Sequence, residues 1–312
     1  MQINKVHHMD AIEGLQKIKD NSADIVLVDP PYNIGKKFGD TKFKMEMEEY
    51  VSWSLKWIRE CERILKDTGT MYIYGFSEIL AHLSVKMDLP HRWLIWHYTN
   101  KATPSSKFWQ RSHESIIVAW KPARIFNLDD VREPYTETYV KGYKDTKRVR
   151  PKTEGRFSHS KTGKETAYTV HDKGALPRDV LKIGALAGGR GMKEAPFYCK
   201  EEDKVYPGKE LKKFKQRIKN GENLTFIKHP TQKPFDVTEK LLKAAKPETG
   251  GLVVIPFIGS GSEAVVARRL DMDFIGFELE EGYVKLAEGF ITMKRRENEI
   301  FQTTQQKLWR KL

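Results

Sequence analysis

The chain has 312 residues, 39% of them hydrophobic and 11% aromatic, which is enough to bury the core of one large domain or of a catalytic domain with a second lobe. Its formal net charge of +13 favours a polyanionic partner, because a basic surface attracts phosphate groups over a long range. The sequence has no run near the roughly 18 apolar residues of a membrane span, no apolar leader, and no Cys/His pattern for a disulfide framework or a zinc site.

The first predicted elements are a strand, a helix and a second strand. The first strand begins near Val6, the helix covers the segment AIEGLQKI, and the second strand is the apolar run at residues 25–28. A strand, helix, strand order predicts neighbouring parallel strands in one sheet.

The second strand ends in the turn Asp29-Pro30-Pro31-Tyr32, which carries the most informative chemistry of the chain. An exocyclic amine on a planar ring is a poor nucleophile because its lone pair is delocalised, so acceptors must hold both of its N–H groups. Asp29 and the Pro30 carbonyl offer two acceptors, the prolines add no competing N–H, and Tyr32 offers a face for stacking. The alternative is an ordinary proline-rich turn, since four residues are a short signal.

Alternating helices and strands continue to about residue 124. Apolar residues at near-helical spacing predict a helix over 47–66, and the strand TMYIYGF follows it. The segment SEILAHLSVKM predicts another helix, and HRWLIWHYTNK and ESIIVAWK predict two strands on either side of a polar loop.

Residues 125–226 differ in character from the rest of the chain. Lysine and arginine crowd into KGYKDTKRVRPK, KTGK and KELKKFKQRIK, with Tyr135, Tyr139, Tyr143 and Tyr168 between them. One interpretation is a solvated insertion with a charged surface helix at 208–220. The favoured one is a separate lobe with a basic groove and stacking rings, because long insertions in a regular α/β chain usually carry function.

Regular elements return after residue 228 with HPTQKP, the helix FDVTEKLLKAAK and the strand LVVIPF. A turn at Gly259-Ser260-Gly261-Ser262 leads into the helix EAVVARRLD, the strand FIGFE follows, and a last helical region starts near Glu281. Such a glycine turn lets the backbone approach a ligand, and Glu278 at the end of the next strand can accept from ribose hydroxyls. Together they indicate an adenosine-containing cofactor; the less favoured interpretation of Glu278 is a charge at a helix N-terminus.

These segments resemble the DNA amino-methyltransferases of the beta class, which use S-adenosyl-L-methionine. The match covers DAIEGL, DIVLVDPPYNIG, LKDTGTMYIYG, SSKFWQRSHESIIVAW, HPTQKP, PFIGSG and IGFELEEGYVKLA, in the beta-class order. The resemblance implies an α/β, Rossmann-like methyltransferase fold with a mostly parallel, permuted sheet flanked by helices. It also implies three regions: a catalytic half at 1–124, a basic target-recognition region at 125–226, and a cofactor-binding half with a C-terminal helix at 227–312.

The resemblance also implies roles for matched positions. The catalytic residues would be Asp29, Pro30, Pro31 and Tyr32, which would hold a flipped target base. The cofactor-binding residues would be Asp10 at the adenine amine, His229, Thr231 and Lys233 near the methionine end, Phe257, Gly259, Ser260, Gly261 and Ser262 around the cofactor, and Glu278 at the ribose. No metal is expected.

One position departs from the family pattern. Ile255 stands just before Pro-Phe, where the family usually has an acidic residue. If that acid normally makes a charge-assisted hydrogen bond to the cofactor, its loss could cost about 1.5 to 3 kcal/mol of cofactor binding. Weak cofactor binding, or another acid in its place, is therefore expected.

The function expected from these features is base-flipping methylation of the N6 amine of adenine in duplex DNA. Methylation of cytosine N4 is the nearest alternative, and a DNA-binding protein with a degenerate cofactor site or methylation of RNA or a protein amide are more distant ones. Double-stranded DNA is the expected partner and the cytoplasm the expected location, with no membrane partner. A homodimer and a cognate restriction endonuclease are left open, as is the recognition sequence.

Overall fold

The protein is described by a computed structural model. It covers residues 1–35, 37–38, 41–98, 100, 106–143, 147–149, 165–167, 171–187, 191 and 194–309, and side chains are described except at 37–38, 41–42, 142–143, 147–149, 165–167 and 298–309. Two compact units are present: residues 1–126 with 179–312 form the larger one, and residues 127–178 form the smaller one.

Fifteen strands are found in the described residues: β1 (Lys5–His8), β2 (Ala23–Val28), β3 (Lys37–Phe38), β4 (Thr41–Lys42), β5 (Leu65–Gly75), β6 (His91–His97), β7 (His113–Trp120), β8 (Lys147–Val149), β9 (Glu165–Ala167), β10 (Val180–Lys182), β11 (Phe197–Cys199), β12 (Lys204–Tyr206), β13 (Phe226–Ile227), β14 (Leu252–Ile255) and β15 (Asp273–Glu278). The α-helices there are α1 (Ala11–Gln16), α2 (Met47–Ile64), α3 (Ser77–Ser84), α4 (Glu137–Tyr143), α5 (Leu211–Lys219), α6 (Phe235–Ala245), α7 (Ser262–Arg269) and α8 (Glu281–Trp309).

An eight-stranded sheet forms the centre of the larger unit, in the order β1-β15-β14-β2-β5-β7-β6-β10. Only β7 runs against its neighbours; every other pairing in this sheet is parallel. The predicted α/β fold with a mostly parallel sheet is confirmed. The first strands of the chain lie beside the last, with β2 next to β14.

Helices cover both faces of this sheet. All six residues of β2 are buried, and alternate ones serve opposite faces because strand side chains have a period of two. Ile25 and Leu27 join the core under α6, α7 and α8, whereas Val26 and Val28 join the core under α1, α2 and α3. The two faces explain why strands such as β2 read as continuous apolar runs.

A smaller sheet, in the order β12-β11-β13, belongs to the same unit. Phe214 of α5 is 3% exposed and packs edge-to-face on Phe197 of β11, with ring centroids 5.0 Å apart. The charged helix expected at 208–220 is thus present as α5, and one of its faces is anchored in an aromatic cluster.

The smaller unit contains α4 and the antiparallel pair β8–β9. Tyr135 and Tyr139 stack on each other, with centroids 5.0 Å apart and ring planes within 6°. The expected basic runs at 144–146, 150–152 and 161–164, and Tyr168, lie outside the described residues. Among the helices that the structure describes, none is long and apolar enough to cross a membrane.

Candidate active site

A cavity of about 520 Å³ opens at the edge of the large sheet where the parallel strands end. This size suits a small-molecule ligand. Residues just after β1, β2, β5 and β14 and at the end of β15 line it, and because β7 runs in the opposite direction it contributes residues from its start. The crevice lies where β2 and β14 join the two ends of the chain, the usual ligand position in open α/β sheets.

The turn after β2 is fixed from one side by α2. Tyr50 is 1% exposed and donates its hydroxyl to the Pro31 carbonyl at 3.0 Å. This bond holds the carbonyl of the second proline, and the ring of each proline fixes its own φ. Asp29, Pro30, Pro31 and Tyr32 all line the cavity as a rigid group.

The carboxylate of Asp29 belongs to a network of four side chains. Lys233 is 2% exposed, and its Nζ lies 2.7 Å from Asp29 Oδ2 and 3.5 Å from Glu114 Oε2. The Tyr32 hydroxyl lies 2.7 Å from Asp29 Oδ1 and 3.0 Å from Glu114 Oε2. One ammonium and one hydroxyl therefore hold two carboxylates at the cavity wall.

Burial and charge in this network fix the protonation of Lys233 and Tyr32. Burial lowers the pKa of Lys233, but Asp29 and Glu114 outweigh burial and raise that pKa above its ordinary value. Burial, followed by the charges of Asp29 and Glu114, raises the pKa of the Tyr32 hydroxyl. Lys233 thus stays charged and Tyr32 stays protonated at neutral pH.

The glycine turn after β14 has a backbone that needs glycine. Gly259 has φ of +52°, and a Cβ there would lie 2.7 Å from His229 Nε2. Gly261 has φ of +80°, and a Cβ there would press on Ala287 of α8. Gly259 leaves room for the His229 ring beside the turn, and Gly261 is the N-cap of α7.

Glu278 and Asp10 fix the backbone beside the glycine turn and at the start of α1. Glu278 accepts from the N–H groups of Gly259 at 3.0 Å and of Leu279 and Glu280 at 2.9 Å each. Burial nevertheless raises the pKa of Glu278. Asp10 caps α1 by accepting from Ile12 and Glu13 with Oδ1, and both acids line the cavity.

Aromatic rings support the remaining wall. Phe257 follows β14 and packs on Trp53 and Trp57 of α2, with centroids 5.8 and 5.9 Å away. His229 meets the Tyr283 ring edge-on at 5.0 Å. Thr231, Ser260 and Ser262 also line the cavity.

The cavity wall therefore collects the predicted site residues from both ends of the sequence, except Gly261, which shapes the turn without lining the cavity. Lys233, expected near a cofactor, is joined to Asp29 by an ion pair. Ile255 is 1% exposed and packs into the sheet core, so the side chain at this position points away from any cavity ligand.

Sequence reasoning missed three acids in the wall, Glu114, Glu263 and Glu280. Glu114 stands at the start of β7, and its importance depends on that strand's direction. Glu263 occupies the first turn of α7, is 5% exposed, and accepts from the Ser262 hydroxyl at 2.7 Å. The only sequence signal for Glu263 was its position directly after the glycine turn.

Comparisons with known proteins match this architecture. A family model described as DNA methylase, of the N6/N4 type, matches residues 23–289. The chain is 26% identical over 284 residues to the Type II methyltransferase M.HpaI of Haemophilus parainfluenzae, covering 89% of this chain and 71% of that protein. It is also 26% identical over 284 residues to the DNA adenine methyltransferase YhdJ of Escherichia coli K12, covering 89% and 79%.

Solved structures show the same fold. The PvuII DNA methyltransferase, described as cytosine-N4-specific, superposes with a TM-score of 0.58 at 16% identity, over 93% of this chain and 90% of that one. The complex of M1.HpyAVI with SAM superposes with a TM-score of 0.52 at 17% identity, over 92% and 98%.

Proposed function

The chain belongs to the N6/N4 family of DNA methylases, and on that premise we propose that it transfers a methyl group from S-adenosyl-L-methionine to the N6 amine of adenine in duplex DNA. The observation that carries the proposal is the Asp29 carboxylate, held by Lys233 at the wall of a cavity of cofactor size. The name of YhdJ, a DNA adenine methyltransferase, supports adenine as the base.

The residues of the cavity fit the cofactor. Glu278 and Asp10 offer carboxylates for the ribose and adenine groups, and Phe257 offers an apolar ring in the same cavity wall. Gly259 leaves the backbone open to close approach because it has no side chain. When bound, the cofactor supplies a methyl group on a positively charged sulfur.

The part of Asp29 in the reaction follows from its partners. Lys233 holds the Asp29 carboxylate in one orientation, so it can accept an N–H of the target amine, and the Pro30 carbonyl can accept the other. The nitrogen lone pair is then available to form a bond to the methyl carbon. The bound cofactor would supply the methyl group and keep the electron pair of its carbon–sulfur bond, and the Asp29 carboxylate, which accepts an N–H of the amine, would take the proton that the nitrogen releases. Positioning of this kind supplies a large share of catalysis.

Glu114 and Lys233 act through Asp29, because they hold its carboxylate in place. Because Lys233 also contacts Glu114, a shift of either carboxylate moves the ammonium between them. We assign both residues a positioning role. Lys233 is buried and Glu114 is half-buried, which limits water at this side of the cavity and strengthens each electrostatic contact.

Duplex DNA is the proposed macromolecular substrate, with the target base rotated out of the stack at a cost of a few kcal/mol. Residues 125–226 are proposed to supply target recognition, since they carry the densest basic runs of the sequence. Residues 1–124 and 227–312 then supply the catalytic and cofactor-binding halves.

Cytosine N4 is the second candidate target. The fold similarity to the cytosine-N4-specific PvuII enzyme favours it, and the two acceptors at Asp29 and Pro30 suit either amine. A DNA-binding protein with a degenerate cofactor site is the more distant alternative.

The decisive experiment expresses the wild-type chain and Asp29→Ala in a methylation-free host and maps modified bases in the host DNA by sequencing. The wild type should give N6-methyladenine at one sequence, and Asp29→Ala should reduce it at least about a hundredfold. N4-methylcytosine in its place would select the second candidate. Normal methylation by Asp29→Ala would contradict the mechanism, and calorimetry showing no cofactor binding by the wild type would contradict enzymatic function.

A further inference from the structure

The cavity is acidic although the chain as a whole is strongly basic. Among the described residues that line it, six are acids: Asp10, Asp29, Glu114, Glu263, Glu278 and Glu280. Three are lysine or arginine: Arg111, Lys228 and Lys233. An excess of carboxylates inside a protein of net charge +13 indicates a ligand that carries positive charge.

Glu263 is the buried acid of this wall that the proposed mechanism does not use. Its side chain is nearly inaccessible, and its first-turn position in α7 alone would place it at the surface, where such acids usually interact with the helix dipole. Burial of a carboxylate is costly unless a partner compensates for it. The Ser262 hydroxyl is one partner, but it is neutral.

The charges that face Glu263 leave it short of a cation. They come from Asp29 after β2 and from Lys233 before α6. Lys233 is shared by Asp29 and Glu114, at 2.7 and 3.5 Å. Burial and the charge of Asp29 raise the pKa of Glu263 to about 7, against the opposing effect of Lys233. The protein therefore holds a carboxyl that gains from a positive group on the cavity side.

We propose that Glu263 is the subsite that binds the α-ammonium group of the methionine part of the cofactor. This rests on the proposed function, because it takes S-adenosyl-L-methionine as the ligand. Glu263, just after the glycine turn, would then supply the acidic group that Ile255, just before the turn, does not.

Three ligands separate the sulfonium and the amino-acid end of the cofactor from its nucleoside, the amino-acid end carrying a carboxylate beside the α-ammonium. S-adenosylmethionine carries both a sulfonium and an ammonium group, S-adenosylhomocysteine carries only the ammonium, and 5′-methylthioadenosine carries neither. Calorimetry at pH 7.5 would measure the Kd of each for the full-length wild type and for Glu263→Gln. Glu248→Gln is the matched control, since it makes the same change at an exposed residue outside the cavity.

Glu263→Gln should weaken S-adenosylmethionine and S-adenosylhomocysteine by a similar factor, about tenfold or more, and should leave 5′-methylthioadenosine within about twofold. Glu248→Gln should change none of them. Equal weakening of all three ligands, or no weakening, would overturn the proposal. Weakening of S-adenosylmethionine alone would assign Glu263 to the sulfonium and would also overturn it.

A second measurement uses the wild type alone, so it stands even if Glu263→Gln fails to fold. Calorimetry at pH 7 in buffers of different ionisation enthalpy reports protons released on binding. S-adenosylhomocysteine should release protons and 5′-methylthioadenosine should release fewer, because only the former keeps Glu263 ionised. Equal release would contradict the subsite. Absence of any cofactor binding by the wild type would instead contradict the proposed function.

Discussion

At the scale of single residues, Lys233 is the charge on which the cavity wall depends. It is buried between two carboxylates that are 204 and 119 positions away in sequence. Removing one partner of a buried ion pair leaves an uncompensated charge and typically costs about 3 to 5 kcal/mol. The sequence predicted that Asp29 and Lys233 both matter, but it could not show that they touch, since no local pattern encodes a contact between such distant residues.

The buried carboxyl of Glu263 predicts a pH dependence of stability in the ligand-free protein. Its pKa is raised from 4.5 to about 7 in the folded state. Between these values the folded chain binds more protons than the unfolded chain, so this residue lowers the free energy of unfolding as pH rises. Glu263→Gln has no ionisable group at this position, so its free energy of unfolding does not include this decrease. The free energy of unfolding of the variant relative to the wild type should therefore rise by up to about 3 kcal/mol from pH 4.5 to 7.5.

Urea unfolding of both proteins at a series of pH values measures this difference. Any constant offset from replacing the carboxyl by an amide cancels, because only the change with pH is tested. A difference that stays flat from pH 4.5 to 7.5 would mean that Glu263 is ionised in the folded protein.

At the scale of elements, near-helical spacing predicted the helices, and continuous apolar runs predicted the strands because the central strands are buried on both faces. The predicted elements on both sides of the basic region are confirmed as β5, α3, β6, β7, α6, β14, α7 and β15. The direction of β7 was not predictable from periodicity, since an apolar strand reads the same in either direction. That direction brings Glu114, at the start of β7, to the same edge as Asp29, at the end of β2.

The loop before β7 predicts a contact with DNA. Phe108 and Trp109 are 79% and 88% exposed, an unusual display for two adjacent large aromatic rings, and Arg111 beside them lines the cavity. An exposed ring at the entrance can stack on or insert between bases during base flipping. Trp109→Ala should weaken binding to duplex DNA containing the target site by about fivefold or more, with cofactor affinity unchanged.

Fluorescence anisotropy with labelled duplex measures the DNA affinity. Phe126→Ala is the matched control, because Phe126 is also exposed but follows the opposite end of β7. Equal effects of the two substitutions would show that the loop has no special part in DNA binding.

At the scale of the whole molecule, the chain is basic, whereas acids outnumber lysine and arginine among the described residues that line the cavity. The net charge of +13 suits a polyanion, and the acidic wall suits a small cation. Composition predicted the first property. It could not predict the second, because a sum over the chain hides how the charges are arranged in space.

This arrangement of charge predicts a strong salt dependence for DNA binding and a weak one for cofactor binding. Contact with about six phosphates would lower DNA affinity roughly a thousandfold between 50 and 200 mM salt. Cofactor affinity should change by less than about threefold, because buried pairs are screened weakly. Titrations of both ligands over this range would test it, and a DNA affinity that is insensitive to salt would argue against a phosphate-binding surface.

The pairing of β2 with β14 has a consequence for how the protein could be controlled. A break in the chain between residues 126 and 179 would leave Asp29 and Glu114 on one fragment and Lys233, Glu263 and Glu278 on the other. Neither fragment would hold a complete site, so methylation would depend on their reassembly. The molecule is thus suited to conditional reconstitution, in which two separately produced pieces report, as a mark on DNA, that they have met.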